Sequence, residues 1–144
     1  MHKPLLALAL LAAPALAAAA DQTPARPMVV VDEAATVRDE PPPHGAIGMS
    51  TAYRLSDKVP DRTMEFRRRV LHPGAAIGPH PIDHDEVYYV LSGEGEVVSD
   101  GRAARLGAGM AAYLYTGANV GIRQLGDESL ALIISYPVER TGAD

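Results

Sequence analysis

The stretch GAAIGPHPIDHDEVYYVLSG, residues 74–93, begins and ends in glycine and sets His80, Ile82, His84 and Glu86 ahead of a β-prone run at 87–91. On a straight strand those four residues would share one face, but His80 and Glu86 would then stand about 20 Å apart. Any joint chemistry therefore needs a bend. Pro79, Pro81 and Asp83 are turn formers placed where that bend would fall, and His84 then points either into a pocket or out at its rim.

Outward from this stretch the chain reads as short strands between glycine turns. Ten of the 13 glycines fall between Gly74 and Gly126, and residues 87–91, 95–99, 110–115, 120–125 and 130–136 are β-prone. Asp100-Gly101 is a hairpin turn signal. No segment sustains a helical apolar period and no solenoid-length repeat occurs, so the fold class is mostly β, a sandwich or barrel.

The N-terminal side differs in texture. Residues 1–20 have the layout of a secretory signal: Lys3, an apolar run at 5–16, and Ala18, Ala19 and Ala20 as a small-residue cleavage site before Asp21. The run is interrupted by Pro14 and is short for a membrane span, so the mature chain is expected to be periplasmic or secreted and free of the membrane. Residues 21–43 are rich in proline, acid and alanine and read as an extended arm. Within it the apolar patch 28–31 predicts an edge strand, on this molecule or on a neighbour. Residues 44–144 remain for a single core.

Removing the leader takes one lysine from 13 basic residues and leaves 12 against 18 acids, a formal charge of −6. Such a surface disfavours nucleic acid and anionic membrane. With no cysteine in the chain, disulfides, thiolate ligands and cysteine nucleophiles are excluded. A metal site would have to use histidine and carboxylate.

Residues 74–93 resemble the first motif of the cupin superfamily, G-x5-H-x-H-x3/4-E-x6-G, at Gly74, His80, Glu86 and Gly93, with Ile82 in place of the second histidine. Residues 109–124 resemble the second motif, P-x-G-x2-H-x3-N, with Tyr115, Gly117, Val120 and Gln124 at its places. The resemblance implies a small single-domain cupin jelly-roll β-barrel of two antiparallel sheets with a pocket inside, and a homodimer. It also implies a divalent ion held by three histidines and a glutamate. Of those four ligands this chain keeps His80 and Glu86.

Two ligands hold a first-row ion poorly against its hydration, so any zinc, iron, nickel or manganese is expected to be weakly bound, with His84 as the one substitute. Ile82 and Val120 add apolar bulk where imidazoles would sit. Tyr113, Tyr115 and Gln124 are candidate polar fixings for a small-molecule ligand. Arg68 joins the pocket if Met64, Phe66 and Val70 face inward, because alternation carries it with them. His44 either folds over the barrel mouth or sits in the linker.

The leading reading is an exported, small-molecule-binding cupin with a degenerate metal site. Three others stay open. One is a metal-dependent oxygenase, isomerase or hydrolase using His80, His84 and Glu86. Another is metal-free isomerase or epimerase chemistry with His80 as acid and base. The third is a purely structural role in which residues 28–31 join two barrels.

Overall fold

The computed structural model describes residues 26–139. The leader 1–20 and the start of the arm lie outside the described residues. After a single 3-10 turn at Glu33–Ala35, ten strands follow in chain order. They are β1 (Val37–Glu40), β2 (Ser50–Tyr53), β3 (Met64–Leu71), β4 (Ala76–Pro81), β5 (Glu86–Ser92), β6 (Glu94–Ser99), β7 (Arg102–Leu106), β8 (Ala111–Leu114), β9 (Asn119–Leu125) and β10 (Leu130–Pro137).

Two antiparallel sheets form, one of six strands in the order β1-β2-β3-β10-β5-β8 and one of four in the order β4-β9-β6-β7. They stack face to face in the manner of a jelly roll. This is the expected jelly roll of two antiparallel sheets, and the sheets are not closed into a barrel: β1 and β8 end one sheet and β4 and β7 end the other. Alternation fills the interior. Tyr88 and Val90 of β5, Leu130, Leu132 and Ile134 of β10, and Val120 and Ile122 of β9 are all buried in one core.

Each of the five runs read as β-prone lies on or overlaps a strand, and the Asp100-Gly101 turn joins β6 to β7 with both residues at positive φ, 48° and 78°. That pair of angles suits a two-residue hairpin. Residues 28–31 form no edge strand on this molecule, and Met28 and Val30 are exposed. Strand β1, just beyond them, takes the edge instead and pairs with β2.

The inward face of β3 is the opposite of the one predicted. Glu65, Arg69 and Leu71 are buried, whereas Met64 and Phe66 lie exposed on the outer face. Hydropathy favours burying Met64 and Phe66, but the charged face wins because every charge on it finds a partner. Glu65 meets Arg62 at 3.2 Å and Arg67 at 2.9 Å, while Arg69 meets Glu40 of β1 at 3.0 Å and the Ser50 hydroxyl at 2.7 Å.

Strand β4 carries the irregularity that shapes the site. Ile77 pairs with Ile122 and His80 with Val120, so one extra residue bulges from β4 between these pairs. The bulge turns His80 to the same side as Ile77. Residues 44–46 close over this point with His44 and Ala46 at φ 60° and 51°, a conformation that costs L-residues about 1 kcal/mol or more each. The His44 carbonyl oxygen rests where a Cβ on Gly78 would have to be.

Gly78→Ala should therefore destabilise the protein by about 1–3 kcal/mol in chemical denaturation, through a forced backbone shift. Gly107→Ala is the control, since a Cβ there meets nothing within 4 Å. Equal stability of the two variants would mean that the 44–46 segment is not held against β4.

Candidate functional site

Between the sheets, at the end closed by residues 43–44, lies a pocket of about 290 Å³. That is near the lower end of the ligand-pocket range and suits a single-ring molecule. His80 and Pro81 come from β4, Ile82, Asp83 and His84 from the following turn, and Glu86 and Tyr88 from β5. Arg67 and Arg69 enter from β3, and Ile134 and Tyr136 from β10.

Hydrogen bonds orientate two of the pocket imidazoles, His80 and His84. His80 Nδ1 lies 2.9 Å from the Gly78 carbonyl, which only accepts, so Nδ1 is the donor in this contact and Nε2 is the nitrogen left to the pocket. Its ring stacks on that of His44, with centroids 3.5 Å apart and 6° between planes. Burial and the neighbouring His80 lower the pKa of His44. His44 thus belongs to the pocket wall, the answer to a position that the sequence left open.

His84 Nδ1 donates to Asp83 at 2.8 Å and its ring stacks on Tyr136 at 4.3 Å. Its Nε2 is buried without a hydrogen-bond partner, and the nearest carboxyl oxygen, Glu86 Oε2, is 3.5 Å away. The Glu86 side chain is only 7% exposed. Burial raises its pKa, with the charges of His84 and His80 pulling the other way. Beside it the Tyr88 hydroxyl is raised as well, mainly by burial.

Arg67 links two layers of the wall, donating to the Tyr136 hydroxyl at 3.0 Å and pairing with Glu65. Glu40 holds Arg69 from the edge of the same wall. Burial works against the Glu40 carboxylate, but its hydrogen bonds and charge contacts with Arg69 and Arg54 outweigh that and leave its pKa lowered.

Several residues singled out in the sequence lie elsewhere. Arg68 is on the outer face, bidentate to Glu33 at 3.0 and 2.8 Å and over the Tyr53 ring at 3.7 Å. Tyr113 and Tyr115 are also outside, 56% and 70% exposed, and Tyr113 donates to Asp85. Alternation explains Tyr113, because Ala112 and Leu114 take the inward places on β8. Gln124 is buried at the far end, where it accepts from Gly74 N at 2.9 Å and donates to the carbonyls of Gly126 and Glu128. It is a clamp between loops. Val120 is fully buried in the core beside His80, and of the ligand-pocket candidates only Ile82 lines the pocket.

The pocket keeps His80, His84 and Glu86 in its wall, but among the described residues no three His, Cys, Asp or Glu side chains converge on a point that a metal ion could occupy. With Ile82 in the wall and Val120 in the core, the donors present do not fit a pre-formed divalent centre.

A cupin-domain family model matches residues 67–136. A predicted oxalate decarboxylase from Thermotoga maritima superimposes with a TM-score of 0.68 at 23% identity, covering 77% of this chain and 100% of that one. The polyketide cyclase RemF from Streptomyces resistomycificus gives a TM-score of 0.64 at 21% identity, over 80% and 82% of the two chains. An RmlC-like cupin from Shewanella frigidimarina gives 0.58 at 20% identity, over 74% and 88%. No curated protein sequence matches the chain. Family match and shared fold together support the cupin superfamily.

Glu40→Ala should cost about 3–5 kcal/mol in denaturant unfolding, because it strands a buried guanidinium. Glu40→Leu combined with Arg69→Met should recover most of that loss. If the single change costs no more than a surface substitution, Arg69 is not buried against β1.

Proposed function

We propose that this chain is an exported cupin that binds a small molecule in the pocket between its sheets and has no pre-formed metal centre. The observation that carries the reading is the retention of a walled pocket although two places that the cupin resemblance assigns to ligands hold Ile82 and Val120. Apolar bulk there favours an organic ligand over a hydrated ion. The metal-enzyme alternative needs His80, His84 and Glu86 to meet at one point, a convergence not found among the described residues. Export rests on the 1–20 leader, and mass spectrometry of the cell envelope should find an N-terminus at or near Asp21.

The functional unit we propose is a homodimer. Phe66, Tyr89, Leu91 and Tyr113 leave an apolar, partly aromatic outer face on the six-stranded sheet, and Met28 and Val30 of the arm are exposed as well. A second copy of this chain would cover them. Light scattering of the mature protein at micromolar concentration should give twice the chain mass, and a monomer would contradict this.

Metal content decides the central point. Protein purified without an affinity tag should hold well under one divalent ion per chain. Ile82→His with Val120→His should raise affinity for nickel, zinc or iron(II) at least about tenfold in competition with a chelator. One tightly held ion per wild-type chain, lost in His84→Ala, would instead overturn this reading and move the enzyme alternative ahead.

A further inference from the structure

We propose that the pocket selects a small zwitterion of the α-amino-acid kind with an aliphatic side group, an inference that deepens the small-molecule reading and rests on it. The wall has two poles of opposite charge. The first lies on β3, where Glu65 is shared by Arg62 at 3.2 Å and Arg67 at 2.9 Å, and Glu40 by Arg54 at 2.8 Å and Arg69 at 3.0 Å. Asp57 adds only long contacts, 3.7 Å to Arg54 and 3.9 Å to Arg62. Four guanidiniums thus share three carboxylates, and two of the four, Arg67 and Arg69, line the pocket.

This pole is short of acceptors. Arg69 Nε is buried without a hydrogen-bond partner, and Arg67, with 22% of its side chain exposed, is the arginine that a ligand can reach. The Tyr136 hydroxyl accepts from Arg67, which leaves its own O–H to give. A ligand carboxylate supplies what these donors lack.

The second pole is Glu86 on β5. Its side chain is 7% exposed, and no guanidinium or ammonium pairs with it among the described residues. Its one close charged neighbour is His84 Nε2 at 3.5 Å, which makes no hydrogen bond. Asp83, the other acid of the pocket, is 98% exposed at the rim. Burial raises the pKa of Glu86, and an ammonium beside it favours the ionised form.

Strands β3 and β5 flank β10, so the poles stand on strands about 10 Å apart with Tyr136 between them. Arg67 lies over the Tyr136 ring at 5.6 Å from its centre, near enough for its charge to act on Glu86. A simple cation drawn to Glu86 would meet Arg67, and a simple anion drawn to Arg67 would meet Glu86. A zwitterion gives each pole its counter-ion. Ile77, Ile82 and Ile134 form the apolar part of the wall and suit an aliphatic side group.

The test uses the mature full chain, stripped of metal by a chelator and dialysed free of it. Calorimetry compares leucine, valine and proline with their amides, which keep the cation alone, and their N-acetyl forms, which keep the anion alone. At least one zwitterion should bind about tenfold more tightly than both of its analogues, with NMR shift changes at His80, His84 and Tyr136. Glu86→Gln should weaken the zwitterion and the amide at least about tenfold and spare the N-acetyl form. Arg67→Gln should weaken the zwitterion and the N-acetyl form and spare the amide. If Arg67→Gln fails to fold, the zwitterion against its amide on the wild type reads the same pole.

The inference is overturned if no zwitterion shifts a pocket resonance, if an analogue binds as tightly as its parent, or if either variant weakens all three ligands alike. Tighter binding of an analogue at the same resonances would overturn the zwitterion class and leave the small-molecule reading intact. That reading falls separately, on one tightly held divalent ion per chain.

Discussion

Burial of the Arg69 guanidinium, only 3% exposed, is the constraint on which the site depends. An unpaired charge in that position would cost several kcal/mol, so Glu40 must come to it, and with Glu40 comes the edge strand β1. The chain then leaves β1 through residues 41–43 and delivers His44 onto His80. One ion pair thus sets which face of β3 looks inward and where the residues that close the pocket begin.

The pocket wall follows from that choice. With the odd-numbered residues of β3 inward, Arg67 reaches Tyr136, whose ring supports His84, and His84 in turn faces Glu86. The result is a chain of contacts from the six-stranded sheet to the turn after β4. His80 and His84 are each orientated by a protein oxygen and a stacking ring. Where the cupin resemblance places two further histidines, the apolar side chains Ile82 and Val120 are buried instead.

Much of the fold was legible in the sequence because its signals are local. The glycine spacing, the Asp100-Gly101 turn and the β-branched runs each act over a few residues, and the strands fall where those signals lie. The pocket was legible only in part. His80, Ile82, His84 and Glu86 belong to one continuous motif, and all four line it. Arg67, Arg69, Tyr88, Tyr136 and His44 were missed or left open because their places depend on partners far along the chain. Alternation alone could not choose the inward face of β3: Met64, Phe66 and Val70 argued for one face by hydropathy. The opposing signal was the alternation of Glu65, Arg67, Arg69 and Leu71, which makes sense only once Glu40 is known to be a neighbour. Tyr113 and Tyr115 sat within a motif resemblance whose proline, histidine and asparagine places hold Tyr115, Val120 and Gln124 in this chain.

The account stands on the imidazoles of His80 and His84 being held by the protein as acceptors, with no ion attached. Long-range proton–nitrogen correlation NMR at mildly alkaline pH reads this directly, before and after exhaustive chelation. Both rings should carry their proton on Nδ1, and both Nε2 resonances should be unprotonated and unchanged by the chelator. A proton on either Nε2, or a shift in those resonances when the chelator is added, would contradict it.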